Sequence, residues 1–333
     1  MLCLTRYWFI STKYRQHSKL ALFTFVLAFI VIILGAYTRL TNAGLSCPDW
    51  PHCYGFISAP HNAAQLHSAM QQYPFASINI KKAWTEMTHR YFAGTEGILI
   101  FILSLSIFFS RARNSKSIFM AIILLILLGM QITLGMLTVT EKLKPVIVLS
   151  HLLTGLSILS MLWWVYLDSR SHNGIVMPHA SMRVLPGLWF GLLILTIQIT
   201  LGGWVSTHYA GLACVDLPYC NGQLFPSMQW HHLNSDLITI HMLHRIGAII
   251  TASYLSILAF FLIRIAALRT IAVLIFTFVL AQITLGILNI VWLRPISIAM
   301  LHQAVAILLL LTIIAALVKV SSLMVSRHDA WIR

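Results

Sequence analysis

Eight apolar segments, each close to the length needed to cross a lipid bilayer, follow one another along the chain. A helix needs roughly 20 apolar residues to span a hydrocarbon core about 30 Å thick. Hydrophobic residues make up 59% of the 333 positions and charged residues only 9%, so a soluble domain would lack the polar surface to stay in water. The sequence therefore predicts an all-α polytopic membrane protein, with spans at 20–38, 83–109, 117–139, 145–167, 184–205, 237–263, 270–292 and 295–318.

The basic residues between the spans are distributed unevenly over the two sides of the predicted membrane. Fourteen Lys and Arg lie on one side and six on the other. The positive-inside rule predicts that the richer side, which includes both termini, faces the cytoplasm, and we expect a bacterial inner membrane. The formal charge of +14 has the same explanation, and no nucleic-acid-binding motif accompanies it. The richer side comprises the N-terminal tail, the 110–116 and 168–183 loops, Arg264 with Arg269, and the C-terminal tail.

The chain consists of two copies of a four-span unit. Four residues of the first long outer loop have counterparts in the second: Cys47, Asp49, Pro51 and Cys53 match Cys214, Asp216, Pro218 and Cys220. Glu86-Met-Thr-His-Arg90 returns as His241-Met-Leu-His-Arg245, and Gln131-Ile-Thr-Leu-Gly135 returns as Gln282-Ile-Thr-Leu-Gly286 and once more as Gln198-Ile-Thr-Leu-Gly202. Because four spans is an even number, the halves run in the same direction and are predicted to be two parallel-repeat four-helix bundles. The predicted organisation is a cytoplasmic tail at 1–19, an N-terminal half at 20–167, a C-terminal half at 184–318 and a cytoplasmic tail at 319–333.

Four histidines, His89, His151, His244 and His302, lie inside the apolar spans, about two turns from the predicted outer ends. They occupy the second and fourth span of each half, so each half carries one pair at matched depth. Two imidazoles that face each other across a four-helix bundle meet the requirement for axial ligation of a haem iron. Hydrogen-bonded core histidines are the alternative interpretation. Zinc is matched less well, because it would want Cys or carboxylate partners and a third or fourth ligand.

Ionisable residues beside the first histidine of each pair are costly in a membrane span, which makes them candidates for function. The first half has Glu86 and Arg90 there, and the second half has His241 and Arg245. A carboxylate one helical turn from a haem ligand could stabilise positive charge, position a water or accept a proton during an oxidation. A simple ion pair with Arg90 or Lys82 at the membrane rim is the alternative. The two arginines could hold haem propionates, or only extend to the membrane surface.

Four cysteines form two pairs with the same spacing in the two long outer loops, about 39–82 and 206–236. The outer side of a bacterial membrane is oxidising, so the spacing predicts a Cys47–Cys53 and a Cys214–Cys220 disulfide. Each could be a structural bridge or a redox-active disulfide, and neither has the C-x-x-C spacing of a redox motif.

The motifs together resemble those of the haem A synthase family of the CtaA type. The loop from Gly44 to Cys53, the Glu86–Arg90 motif and the later histidines carry the resemblance, which covers about 19–319. The resemblance implies oxidation of the C8 methyl group of haem O to a formyl group, giving haem A for the terminal cytochrome oxidase.

The same resemblance implies roles for single residues. His89 and His151 would ligate the iron of the substrate haem, His244 and His302 would hold a second haem, of b type, and Glu86 would be the carboxylate at the reacting haem. The paired loop cysteines are also a family feature. The implied partners are haem O, haem A and membrane lipid, together with a haem O synthase and cytochrome oxidase assembly factors.

Three other functions would explain part of the pattern. A transmembrane electron carrier with two b-type haems would place them near opposite surfaces, whereas both His pairs are predicted near the outer one. A membrane thiol oxidoreductase of the DsbB kind would use the loop cysteines but would not need four histidines in the spans. A transporter with parallel repeats would explain the duplication and Glu86, but not the symmetry of the histidines.

Overall fold

Nine α-helices make up most of the computed structural model, which describes residues 2–110, 113–170, 184–232 and 234–331, and side chains only between 17 and 321. The helices are α1 (Leu2–Leu40), α2 (Ala63–Gln72), α3 (Ile80–Phe108), α4 (Ser115–Thr140), α5 (Pro145–Arg170), α6 (Leu185–Thr207), α7 (Leu237–Leu262), α8 (Arg269–Val291) and α9 (Ile296–Trp331). The described ranges contain no β-strand, only two isolated β-bridges. The all-α prediction is confirmed.

Eight of these helices are long and apolar enough to cross a membrane, and α2 is the exception. Their spanning parts agree with the predicted spans to within four residues at each end. Helix α1 begins at Leu2 and α9 ends at Trp331, so most of the two predicted tails is helical. Most of the predicted basic loop at 168–183 lies outside the described residues, as do Arg111 and the last two residues.

Polar caps fix where three of the spanning helices begin. The side chains of Asn79, Asn114 and Asp236 accept hydrogen bonds from backbone amides in the first turns of α3, α4 and α7. Such caps satisfy amide hydrogens that have no partner inside the helix. The helices can therefore start abruptly beside polar segments.

The chain divides into two compact units, residues 1–165 and 166–333. In the first unit, α3 packs against both α1 and α4. Phe25 of α1 stacks on Trp163 of α5 with ring centroids 4.8 Å apart. Gly135 of α4 and His151 of α5 are also in contact. The four spanning helices of this unit therefore pack in a closed ring.

In the second unit, α7 packs against α6 and α8, and α9 packs against α8 and α6. These contacts also close a ring of four spanning helices. The geometric relation between the two halves, predicted as an axis along the membrane normal, stays a prediction.

The segment after α1 and the segment after α6 fold locally in the same way. Asp49 accepts hydrogen bonds from the amides of Tyr54 and Gly55, and Asp216 accepts them from Asn221 and Gly222. Each turn contains an isolated β-bridge and a cis X-Pro peptide bond at the corresponding place. The amide of Gly222, and to a lesser extent that of Asn221, lowers the pKa of Asp216, so this carboxylate stays charged below the usual titration range of Asp.

Disulfides close both turns, Cys47 with Cys53 and Cys214 with Cys220, each across six positions. All four of these cysteines are buried. The first pair packs with Tyr54 and Met87, and the second with Met242. The bridges therefore belong to the hydrophobic packing at the ends of α3 and α7.

Replacing Cys214 and Cys220 together by Ser is expected to destabilise their turn by about 2 kcal/mol, because a short ring constrains the unfolded segment. Peptide mapping under non-reducing conditions should recover the two bridges within their own segments. The control is Cys3→Ser, which lies outside both segments. Free thiols at all four positions, or a bridge between the two segments, would contradict the assignment.

Candidate functional site

Each of the four histidines in the spans packs against a glycine on the spanning helix that precedes its own. A methyl group added to Gly35 would lie 3.0 Å from Cε1 of His89, and one added to Gly202 would lie 3.0 Å from Cε1 of His244. The corresponding distances are 3.2 Å for Gly135 with His151 and 3.5 Å for Gly286 with His302. All four glycines lie five residues before the last residue of their helices. A Cβ at Gly35 or Gly202 would push the histidine ring by a few tenths of an ångström, so glycine allows the observed ring position.

Cε1 is the atom of each imidazole ring that lies nearest to the glycine, and Nδ1 is the ring nitrogen that the protein encloses. Nδ1 of His89, His151 and His302 is buried and has no hydrogen-bond partner among the described residues. Nδ1 of His244 lies 3.0 Å from the amide nitrogen of Gln198. Each of these residues is nevertheless only half-buried, so another part of its side chain remains open. In His89, His151 and His302 the open edge leaves Nε2 as the nitrogen suited to a metal. At His244 the Gln198 amide N–H can only donate to Nδ1, which would put the ring proton on Nε2. Ligation through Nε2 of His244 therefore retains only the Gln198 bond to the carbonyl oxygen of His244.

Within each unit the two histidines lie close enough for their charges to interact, His89 with His151 and His244 with His302. The described part of the chain contains no cluster of three or more His, Cys, Asp or Glu that could hold a metal ion. Pairs of imidazoles without a third ligand suit a haem iron, whose other four ligands come from the macrocycle, better than zinc. The residues present therefore fit the predicted haem sites, by their donor set and by the glycine contacts.

Glu86 lies one turn before His89 on α3 and is buried. Its Oε1 accepts a hydrogen bond from Nε of Arg90 at 2.8 Å. Both side chains are almost buried, with exposed fractions of 9% for Glu86 and 11% for Arg90. The other carboxylate oxygen, Oε2, makes no hydrogen bond within the described ranges. The ion pair predicted as the alternative role is thus present, and it still leaves one oxygen able to act on a bound group.

His241 occupies the place of Glu86 in the second half and is bonded differently. Its Nδ1 lies 2.9 Å from the carbonyl oxygen of Ala210. A carbonyl only accepts, so Nδ1 carries the proton and donates it. Without a carboxylate beside it, Nε of Arg245 is buried with no partner in the part of the chain described. The two halves therefore differ in charge at the position next to the first histidine.

Both arginines bind the backbone of the disulfide-closed turns. Nη1 of Arg90 donates to the carbonyl oxygens of Asp49, Pro51 and His52, at 3.0, 3.3 and 2.7 Å. Arg245 donates in the same way to the carbonyls of Cys214, Asp216 and Tyr219. These contacts fix each turn over the end of its helix. The predicted contacts with haem propionates stay a prediction, for which Nη2 of Arg90 and Nε of Arg245 remain available.

Sequence reasoning did not identify the two glycines, Gly35 and Gly202, that contact the first histidine of each pair. Gly35 and Gly202 were visible only as members of the repeat, although both contact a histidine ring. Their common signal is a glycine five residues before a helix end in the span preceding each histidine span. A Cβ added at Gly94, on the same helix as His89, would have no atom within 4 Å.

A comparison with protein families matches residues 18–314 to COX15-CtaA, described as a cytochrome oxidase assembly protein. The chain is 41% identical over 319 residues to a protein of Shewanella oneidensis named heme A synthase, covering 90% of this chain and 95% of that protein. Heme A synthases of Allorhizobium ampelinum and Ehrlichia ruminantium are 29% and 28% identical. The alignment with the Allorhizobium protein covers 90% of this chain and 89% of that protein, and the alignment with the Ehrlichia protein covers 84% and 86%.

Proposed function

The chain belongs to the COX15-CtaA family, and from this we propose that it is a haem A synthase that oxidises the C8 methyl group of haem O to a formyl group. The similarity to a heme A synthase over 90% of the chain carries the proposal. The paired histidines support it, because they offer neutral imidazoles beside glycines that leave room for them.

We propose that the first unit receives the substrate haem between His89 and His151. With water as the source of the oxygen atom, conversion of a methyl group to a formyl group releases four protons and four electrons, and an oxidant from outside the chain has to accept the electrons. Oε2 of Glu86, one turn from His89, is suited to take up a proton from the reacting carbon or to stabilise positive charge that develops there. Arg90 orients this carboxylate through Oε1 and ties it to the turn above α3.

We propose that His244 and His302 hold a resident b-type haem in the second unit. When bound, such a group supplies one-electron transfer. The residues around it have no carboxylate in the place of Glu86, because His241 stands there and donates to a backbone carbonyl. This difference supports chemistry in the first half and electron storage or transfer in the second.

A haem analysis tests the proposed function directly. Cells that make haem O but lack a haem A synthase of their own are given this chain, and their haems are extracted and separated by chromatography. Haem A should appear only when the chain is expressed. Haem O alone, with the protein present in the membrane, would contradict the proposal and would favour the di-haem electron carrier if the purified protein still contains haem.

The proposed setting is the bacterial inner membrane with both termini in the cytoplasm. The excess of Lys and Arg on the side of the termini supports this orientation. Reporter enzymes that are active only in the cytoplasm should be active when fused to either terminus, and reporters that are active only outside it should be inactive. A haem O synthase and cytochrome oxidase assembly factors are the proposed partners, because the substrate must be supplied and the product consumed.

Replacing Gly202 by Ala is expected to lower the b-type haem content, because the new methyl group would meet Cε1 of His244 at 3.0 Å. The ring would have to move by a few tenths of an ångström, which disturbs its alignment with an iron atom. The control is Gly129→Ala, another glycine in a span, where an added Cβ has nothing within 4 Å. Absorption spectra of the two purified variants give the comparison. Equal haem content in both would contradict the role assigned to Gly202.

A further inference from the structure

Glutamines of the repeated Gln-Ile-Thr-Leu-Gly motif lie one turn before three of the four glycines that contact a histidine. We refer to Gln131 with Gly135, Gln198 with Gly202, and Gln282 with Gly286 as the three Gln–Gly pairs. Residues four apart lie on the same helix face, so glutamine and glycine of a pair present themselves to the same neighbouring helix. The fourth glycine, Gly35, has Val31 in the place of the glutamine.

In the second unit both glutamines bond to the histidine helix. Nε2 of Gln198 donates to the carbonyl oxygen of His244 at 3.0 Å and lies 3.0 Å from its Nδ1. Nε2 of Gln282 donates to the carbonyl oxygen of His302 at 2.6 Å. Each proposed ligand of this unit is therefore held at its own residue by an amide from the preceding helix.

In the first unit the corresponding contacts are weaker or missing. The amide nitrogen of Gln131 lies 3.1 Å from the place of a Cβ on Gly155, one turn beyond His151, and makes no bond to His151 among the described residues. Its buried Oε1 has no partner there, as is also true of Oε1 of Gln198. Val31 is buried and its side chain is apolar, so His89 has only the backbone of Val31 to interact with at this position and receives no side-chain amide. A side-chain amide from the preceding spanning helix thus holds the histidine residue in the second unit and in neither case in the first.

We propose that Gln198 and Gln282 are positioning residues that fix the ligands of a resident haem, and that His89 and His151, which receive no such bond, are the exchangeable ligands of the substrate site. This inference rests on the proposed function, because it assigns the first unit to the substrate. A ligand that is hydrogen-bonded outside the metal keeps its orientation and holds the metal longer. A cofactor benefits from such fixation, whereas a substrate haem has to enter and its product has to leave in every cycle.

Transfer of haem to apomyoglobin, a protein that captures released haem, measures the difference between the two sites. The full-length protein in detergent is mixed with excess apomyoglobin, and the haems left on it are identified by chromatography at successive times. Haem O and haem A report on the first unit and haem b on the second. We expect the haems of the first unit to leave at least about tenfold faster.

Substitutions that remove a glutamine from the second unit, or place one at Val31 in the first, test whether these hydrogen bonds cause the difference in the rate of haem loss. Gln198→Leu and Gln282→Leu should each speed the loss of haem b about two- to tenfold, the effect of one hydrogen bond on a rate. They should also shift the g-values of the low-spin iron in electron paramagnetic resonance, which report the orientation of the imidazole planes. The control is Thr200→Val, which removes only a hydrogen bond to Thr196 within α6.

The converse variant is Val31→Gln, with Val31→Leu as the control for size. Val31→Gln should slow the loss of haem from the first unit, and Val31→Leu should not. If Val31→Gln fails to fold, the comparison of wild-type rates and the two Gln→Leu variants still decides the question. Equal rates of loss from both units, or unchanged g-values and rates in both Gln→Leu variants, would overturn the inference. A protein that binds no haem at all would instead remove the proposed function.

Discussion

Cells that express the Glu86→Gln variant are expected to accumulate haem O, or its alcohol, and to make at least about 100-fold less haem A than the wild type. Glutamine keeps the shape of the side chain but has no negative charge and cannot accept a proton. Glu86 is buried one turn from His89 and has Oε2 unbonded within the described structure. The substitution should not change haem binding, because the histidines and their glycines stay in place. The measurement is extraction and chromatography of the cellular haems, together with the absorption spectrum of the purified variant.

The matched control for this variant is Glu96→Gln, the same substitution ten residues, or nearly three turns, further along the same helix. Glu96 lies seven residues beyond His89 and is not part of the Glu86–Arg90 pair, so its loss should reduce haem A formation much less. Arg90→Gln provides a second comparison, since it breaks the ion pair but keeps the carboxylate. Wild-type haem A levels in Glu86→Gln cells would falsify the catalytic assignment and leave Glu86 with only the ion pair to Arg90.

Purified protein with His244→Ala or His302→Ala should show no low-spin signal from a b-type haem. Low-spin iron in such a site requires two strong axial ligands, and the second unit offers these two imidazoles, each against a glycine. Removing either ligand leaves the iron with one, so haem is either lost or converted to a high-spin form. Optical and electron paramagnetic resonance spectra distinguish the two results.

His241→Ala is the control for the ligand variants. His241 lies on the same helix as His244 and is buried, but its Nδ1 donates to the carbonyl oxygen of Ala210 and it is not a proposed ligand. Its low-spin signal should therefore remain. An unchanged low-spin spectrum in both ligand variants would sink the assignment of His244 and His302.

The spanning helices could be predicted from the sequence because burial in lipid requires long apolar runs with few exceptions. The eight predicted spans were confirmed with small shifts at their ends. Helix α2 was not predicted, because it has only ten residues, has no long apolar run and lies inside a long connection. Its only sequence signal is the cap at Asn62, which accepts a hydrogen bond from the amide of Gln65.

The candidate site was predictable as a set of residues but not as a set of contacts. Duplication marked the histidines and Glu86, since the same positions recur in both halves. The binding of Arg90 to three backbone carbonyls depends on the path of the turn, which residue types alone do not determine. The glycine that each histidine meets lies on another helix, so its identification required the register between neighbouring helices.

The contacts that shape the turn after α1 have a consequence for biosynthesis. The disulfide, the two hydrogen bonds to Asp49 and the β-bridge all join residues no more than six positions apart. In the proposed orientation this turn can take its final form as soon as the nascent chain delivers it across the membrane, while α3 is still being synthesised. Arg90, 38 to 41 positions later, then binds carbonyl groups that are already in place. Oxidation of the cysteines during export would thus precede packing of α3, the helix that carries His89. In cells that cannot oxidise these cysteines, α3 would be inserted before the turn that Arg90 binds has formed.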